Sequence, residues 1–240
     1  MELKEHQTYS KKKLARIAGL FYLLVIASGL FAEIFVRQKL RIQADPLAIA
    51  EHLKKSEMLS RLGLVADLFN FVCGLPAVLI IYVLFKPVNK FLMSLAMLFV
   101  IVQTAVIATN LMNQVSPLLL LGNNAYLNTF TAGQRAGLSM YALDLQAQGY
   151  GIGLVFFAFY CMIVGYLIWN STLVPRILGF LYALAGISYL VNSIIMIVSK
   201  DFANPLFPYF AIISFVGELS FCLWLLIKGV KILREADVKD

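Results

Sequence analysis

The run from Phe91 to Val115, FLMSLAMLFVIVQTAVIATNLMNQV, contains no charged side chain, and its reading decides the fold. The hydrocarbon core of a bilayer takes about 20 residues of helix, so this run is long enough to cross it. Lipid offers the backbone no hydrogen bonds, and a helix satisfies its own. Working outward, five more runs of the same kind span Leu14 to Val36, Leu62 to Phe85, Tyr141 to Trp169, Arg176 to Ser199 and Leu206 to Lys228. Chain breakers fall between them: Lys86-Pro87-Val88-Asn89 after the second run, Pro175 at the start of the fifth, and Asn204-Pro205 before the sixth. Pro76 and Pro117 lie within or just after spans and are expected to kink them.

The whole chain agrees with this reading. Of its 240 residues 61% are hydrophobic and 14% charged, with a mean hydropathy of +0.83. An ordinary soluble domain is roughly 45–50% apolar and about 25% charged. The expected fold class is therefore all-α: one polytopic transmembrane helical bundle over residues 1–240, with six transmembrane helices. In the loop after the first span, Pro46 to Leu59 sets Leu47, Ala50, Leu53 and Leu59 near helical spacing, which predicts a short interfacial helix. The first run is too long for the core of a signal peptide, and no small-residue cleavage site follows it, so it is expected to remain as a span.

The formal charge of +7 sits at helix ends rather than in a polar stripe, which points to anionic headgroups and excludes nucleic acid as the natural partner. Alternating the runs across the membrane puts twelve Lys and Arg on the side of the termini and eight on the other. That balance predicts cytoplasmic termini and a multi-pass protein of the cytoplasmic membrane. Cys73, Cys161 and Cys222 lie in apolar runs without metal or redox spacing and read as buried thiols.

Arg16-Ile-Ala-Gly19-Leu-Phe-Tyr22 in the first span resembles Arg176-Ile-Leu-Gly179-Phe-Leu-Tyr182 in the fifth, with Ser28 and Ser188 at matching offsets. The following helices carry Val65-Ala-Asp67-Leu68 and Val216-Gly-Glu218-Leu219. Two readings stay open: a parallel repeat of helical hairpins, as some transporters contain, or a chance match of apolar sequences.

A charged side chain at the centre of a membrane helix costs about 2.5 to 3.5 kcal/mol, so each such group needs a partner, water or a proton. Glu33 and Arg37 share one face at the outer end of the first helix and can pair locally. Arg61 opens the second helix, with Asp67 about 9 Å further in and Asn70 a turn below. Asn110, Asn113 and Gln114 come near the outer end of the third, Asp144, Gln146 and Gln148 begin the fourth, and Asn192 lies in the outer third of the fifth. Glu218 alone is near mid-depth, roughly 18 Å along the sixth, with Arg61 as a candidate partner across the bundle. The candidate polar cavity is thus Glu33, Arg37, Arg61, Asp67, Asn70, Asn110, Asp144, Asn192 and Glu218, open to the outer face. The competing reading makes the same groups interhelical glue, each bond contributing about 0.6 to 2 kcal/mol.

Catalytic signatures are missing: there is no HExxH, no GxSxG, no phosphate loop and no paired histidines. His6 and His52 read as surface residues, and no catalytic residue, metal or cofactor is assigned. Small residues at Gly149, Gly153 and Gly165 allow close packing within one chain or between two copies, so a homo-oligomer is left open.

Together, Arg16 to Tyr22, Ala32-Glu33-Ile-Phe-Val-Arg37, Ser60-Arg61-Leu-Gly63, Ala66-Asp67-Leu68, Lys86-Pro-Val-Asn89, Gly149-Tyr150, Gly153 to Phe157, Gly165 to Ile168, Pro175 to Gly179, and Gly217-Glu218 leading to Leu223 through Gly229 form a specific pattern. By it the chain resembles the bacterial membrane family known as domain of unknown function 4386 (DUF4386), from Arg16 to about Val230. The resemblance implies a multi-span membrane protein with no assigned activity, and it favours Glu33, Arg37, Arg61, Asp67 and Glu218 as shared features. It also implies histidine at 146 and 160 and aspartate at 192 in many members, where this chain has Gln146, Tyr160 and Asn192. The function expected is binding or moving a small molecule or lipid through the outer polar cavity. The alternative is a structural or regulatory membrane component, and a third reading makes Glu218 or Asp67 the acid or base of an intramembrane enzyme.

Overall fold

The computed structural model describes residues 2–41 and 45–231, and among them there is no β-strand. The cations Arg234 and Lys239 counted above lie outside the described residues. The helices are α1 (Glu2–Phe31), continued by a π-helical turn (Ala32–Arg37) and α2 (Gln38–Arg41), then α3 (Pro46–Lys55), α4 (Glu57–Phe85), α5 (Lys90–Leu120), α6 (Ala132–Trp169), α7 (Arg176–Val198) and α8 (Lys200–Ile227). Six stretches are long and apolar enough to cross a membrane: Lys11–Arg37, Glu57–Phe85, Lys90–Leu120, Ala132–Trp169, Arg176–Val198 and Pro205–Ile227. The protein is a helical membrane bundle.

Helix ends are set by capping chemistry, which hydropathy does not register. Asp45 accepts hydrogen bonds from the Leu47 and Ala48 amides, with Pro46 in the first turn, and so starts α3. That short helix stops at Lys55 rather than continuing to Leu59, because the chain turns at Ser56 and α4 begins at Glu57. On α3 the exposed Glu51 pairs with Lys55 at 2.7 Å, which holds its carboxyl below the usual range. Asn89 caps α5 through the Leu92 amide. A reciprocal capping box, Thr131 Oγ1 with the Gln134 amide and Gln134 Oε1 with the Thr131 amide, starts α6 well ahead of the apolar run at Tyr141. α8 begins at Lys200, ahead of Asn204-Pro205, so Pro205 and Pro208 lie inside it and each removes one helical hydrogen bond. It ends at Ile227, where the amides of Lys228 and Gly229 both return to the Trp224 carbonyl, and Gly229, at a φ of +72°, turns the chain away.

The chain forms two compact units. Unit 1 holds α1 up to Leu24, Val72–Gln103, and the chain from Gly151 onward. Its core is aromatic: Tyr22, Phe85, Tyr160, Tyr182 and Phe221 are all buried, with the Tyr182 and Phe221 rings 5.0 Å apart. Its helices approach through glycine. A side chain on Gly165 would lie 2.6 Å from the Gly179 carbonyl, and one on Gly179 would lie 2.6 Å from the Gly165 carbonyl, so α6 and α7 cross backbone to backbone. Likewise a β-carbon on Gly19 would meet the Leu226 amide, and one on Gly217 the Leu181 carbonyl. Unit 2 holds Val25–Phe71 and Thr104–Tyr150. Exposed Val72, Phe91, Leu98, Ile187, Ile194 and Ile212 present the apolar exterior that lipid requires.

Replacing Gly179 with Val should force α6 and α7 apart, destabilise the protein by about 1–3 kcal/mol or more, and lower its thermal midpoint in detergent. Gly137→Ala, inside α6 where nothing lies within 4 Å, should instead hold or raise that midpoint, since alanine favours a helix by about 0.5–1 kcal/mol over glycine.

Candidate functional site

Unit 2 builds its polar site around Arg37. The π turn closes with the Gln38 amide reaching back to the Glu33 carbonyl, and single π turns inside α-helices recur at functional sites. In this wider turn Glu33 and Arg37 align, and Arg37 Nε donates to Glu33 Oε2 at 2.8 Å. Arg37 Nη1 donates to both oxygens of Asp67, on α4, at 3.0 and 2.9 Å. The guanidinium also lies 5.2 Å from the Tyr150 ring centroid, which adds a cation–π contact from α6. Arg37 is 7% exposed and Asp67 6%. Glu33 keeps partial exposure, with 19% of its side chain accessible, whereas Arg37 and Asp67 are buried.

The other predicted residues of this unit divide among local partners. Asn70 donates to the Val25 carbonyl at 2.7 Å and to Ser28 Oγ at 3.4 Å, joining α4 to α1. Asn110 donates to the Gln146 carbonyl at 2.7 Å and accepts from Asn113. Asp144 is half-buried on α6 and has partners of its own. Arg61 is exposed and bonds to Glu57, one turn back on its own helix, rather than reaching Glu218. Next to Asn110 and Asn113 on α5 stands Gln114. Both its amide oxygen and its amide nitrogen are buried, and neither has a hydrogen bond within the protein.

Unit 1 contains Asn192 and Glu218. Glu218 is 8% exposed and its partners are hydroxyls: Tyr22 donates to Oε2 at 2.9 Å and Tyr189 donates to Oε1. Tyr22 in turn lies 3.0 Å from the Tyr182 hydroxyl. Ser220, a neighbour that could have taken the carboxyl, bonds to the Val216 carbonyl instead. Asn192 is 7% exposed and its Oδ1 has no hydrogen bond in the protein.

The sequence reading missed the tyrosines. Tyr22 and Tyr182 close the two matching segments noted above, and Tyr189 stands seven residues beyond Tyr182 on the same face, so the signal was present as a spacing. No group of three or more His, Cys, Asp or Glu among the described residues is arranged to hold a metal ion.

A family model described as Domain of unknown function (DUF4386) matches residues 17–229. An uncharacterized protein of Archaeoglobus fulgidus is 28% identical over 153 residues, which covers 63% of this chain and 74% of that protein. No solved structure matches.

Truncating Arg37 to Ala should strand two carboxylates, one of them fully buried, and cost about 3–5 kcal/mol. Arg61→Ala, which removes an exposed pair, should cost about 0–1 kcal/mol. Chemical unfolding in detergent, monitored by tryptophan fluorescence, separates the two.

Proposed function

From the premise that the chain belongs to the family described as Domain of unknown function (DUF4386), whose description carries no activity, we propose that it binds or moves a small molecule or lipid through polar groups held inside the membrane. The observation that carries this reading is Gln114. An amide offers two donors and two acceptor sites, and buried polar groups as a rule are hydrogen-bonded. Gln114 uses none of its capacity within the protein. It belongs to the unit that also holds Glu33, Arg37 and Asp67, and its unused donors and acceptors favour a ligand with hydrogen-bonding groups of both kinds.

The charge count supports cytoplasmic termini for a multi-pass protein of the bacterial cytoplasmic membrane. With that orientation Glu33, Arg37, Asp67 and Gln114 fall toward the outer ends of their own spans, which favours a site open to the outer face. The bilayer is the protein's constant partner, and the ligand is a small molecule or a lipid. A purely structural role is the second reading. It is favoured by the three hydrogen bonds from Arg37 to Glu33 and Asp67, and by Asn110, which packs so closely on α6 that a side chain on Gly149 would meet its Oδ1 at 2.4 Å.

Native mass spectrometry of the protein released from lipid nanodiscs tests the choice. Wild type should carry a bound species that Gln114→Leu and Asp67→Asn lose, with Gln114→Leu at least as stable as wild type because an unpaired polar group is gone. The same bulk lipid on all three proteins would instead support the structural reading. Orientation is read separately: Lys13→Cys and Lys231→Cys should react with an impermeant maleimide only after the cells are opened, and labelling of intact cells would reverse it.

A further inference from the structure

Unit 1 contains a second polar system that the ligand reading leaves unused. Tyr182, Tyr189 and Ser193 follow one another on α7 at intervals of seven and four residues, so they share a face and extend over roughly 16 Å of the span. Glu218 meets this face from α8. Tyr22 commits its single hydroxyl proton to Glu218, so the bond between Tyr22 and Tyr182 is donated by Tyr182. Tyr189 donates its hydroxyl proton to the other carboxylate oxygen, Oε1. The titratable groups near Glu218 are Tyr22 from α1, Tyr160 and Cys161 from α6, Tyr182 and Tyr189 from α7, and Cys222 on its own helix. No arginine, lysine or histidine among the described residues is paired with it. Its charge is therefore solvated by hydroxyls alone, without a counter-ion.

A second, separate observation concerns the surroundings. The Tyr160 hydroxyl, Asn192 Oδ1 and Ser193 Oγ are buried at 1%, 7% and 0% exposure, and none makes a hydrogen bond within the protein. Groups of this kind bond to water or to a ligand. Tyr160 stands beside Tyr182, their rings 6.5 Å apart, and Asn192 and Ser193 extend the α7 polar face away from the carboxylate.

We propose that Glu218 is a reversible proton-binding site within the membrane, approached by water along Ser193 and Asn192 and gated by the tyrosine hydroxyls. On uptake, water or hydronium gives up a proton, an O–H bond forms on a carboxylate oxygen, and the side chain goes from charge −1 to 0. The new O–H then donates to Tyr22, whose hydroxyl turns to the Tyr182 oxygen, and the Tyr182 hydroxyl turns toward Tyr160. Tyr160, without a partner in the arrangement described, is thus the acceptor in the protonated one. Release reverses each bond and returns the proton to water. The site stands on unit 1 alone and does not depend on a ligand at Gln114.

Infrared difference spectroscopy of the protein in nanodiscs, titrated with pH, tests it. Wild type should show a protonated-carboxyl C=O band that comes and goes reversibly, and Glu218→Gln should lose that band. Tyr22→Phe, Tyr189→Phe and Tyr160→Phe should keep the band but shift its frequency or midpoint, and Gln114→Leu should leave it unmoved. Wild-type and Glu218→Gln spectra that superimpose at every pH overturn the proposal. If Glu218→Gln does not fold, a band unmoved by all three tyrosine variants overturns it equally, because the titrating group then lies elsewhere.

Discussion

A carboxylate surrounded by hydrocarbon must find its hydrogen bonds inside the protein, and in unit 1 the packing serves that need for Glu218. Its two donors come from different helices, Tyr22 on α1 and Tyr189 on α7, so α8 has to lie against both. Glycine makes the approach short enough: Gly19 admits the α8 backbone at Leu226, and Gly217, next to Glu218 itself, admits the α7 backbone at Leu181. α6 joins through the mutual contact of Gly165 and Gly179, which brings Tyr160 beside Tyr182. Where helices in lipid lack a hydrophobic drive to associate, close backbone contact and interhelical hydrogen bonds supply it together.

Unit 2 meets the same constraint differently. Arg37 compensates two carboxylates, Glu33 within its own π-helical turn and Asp67 on α4. The amide of Gln114, in the same unit, has no such partner within the protein. The two units thus hold their intramembrane charge by separate means, tyrosine hydroxyls in one and an arginine in the other.

The resemblance between the segments at Arg16 and Arg176 gains a physical expression in this arrangement. Tyr22 and Tyr182 occupy equivalent places in the two segments and meet hydroxyl to hydroxyl. Gly19 and Gly179, also equivalent, both carry close helix crossings, one against α8 and the other against α6. Asp67 and Glu218, the matching acids, take different partners, so any common ancestry of the segments has not kept a common chemistry.

By itself the sequence determined six membrane helices, their approximate limits and the pairing of Glu33 with Arg37. These are local properties: helix hydrogen bonds close within four residues, lipid demands an apolar run of known length, and residues a turn apart share a face. The early start of α6 was legible too, in the Thr131–Gln134 capping box, though not in hydropathy. Only the tertiary structure decided who faces whom. Tyr22 and Glu218 are 196 residues apart in sequence, Asn110 and Gln146 are 36 apart, and Arg61 turned to its neighbour Glu57 although Glu218 had been a candidate. Periodicity gives the face on which a side chain stands, but its partner depends on how helices rotate and how closely glycines let them approach, and those follow from the packing of the whole chain.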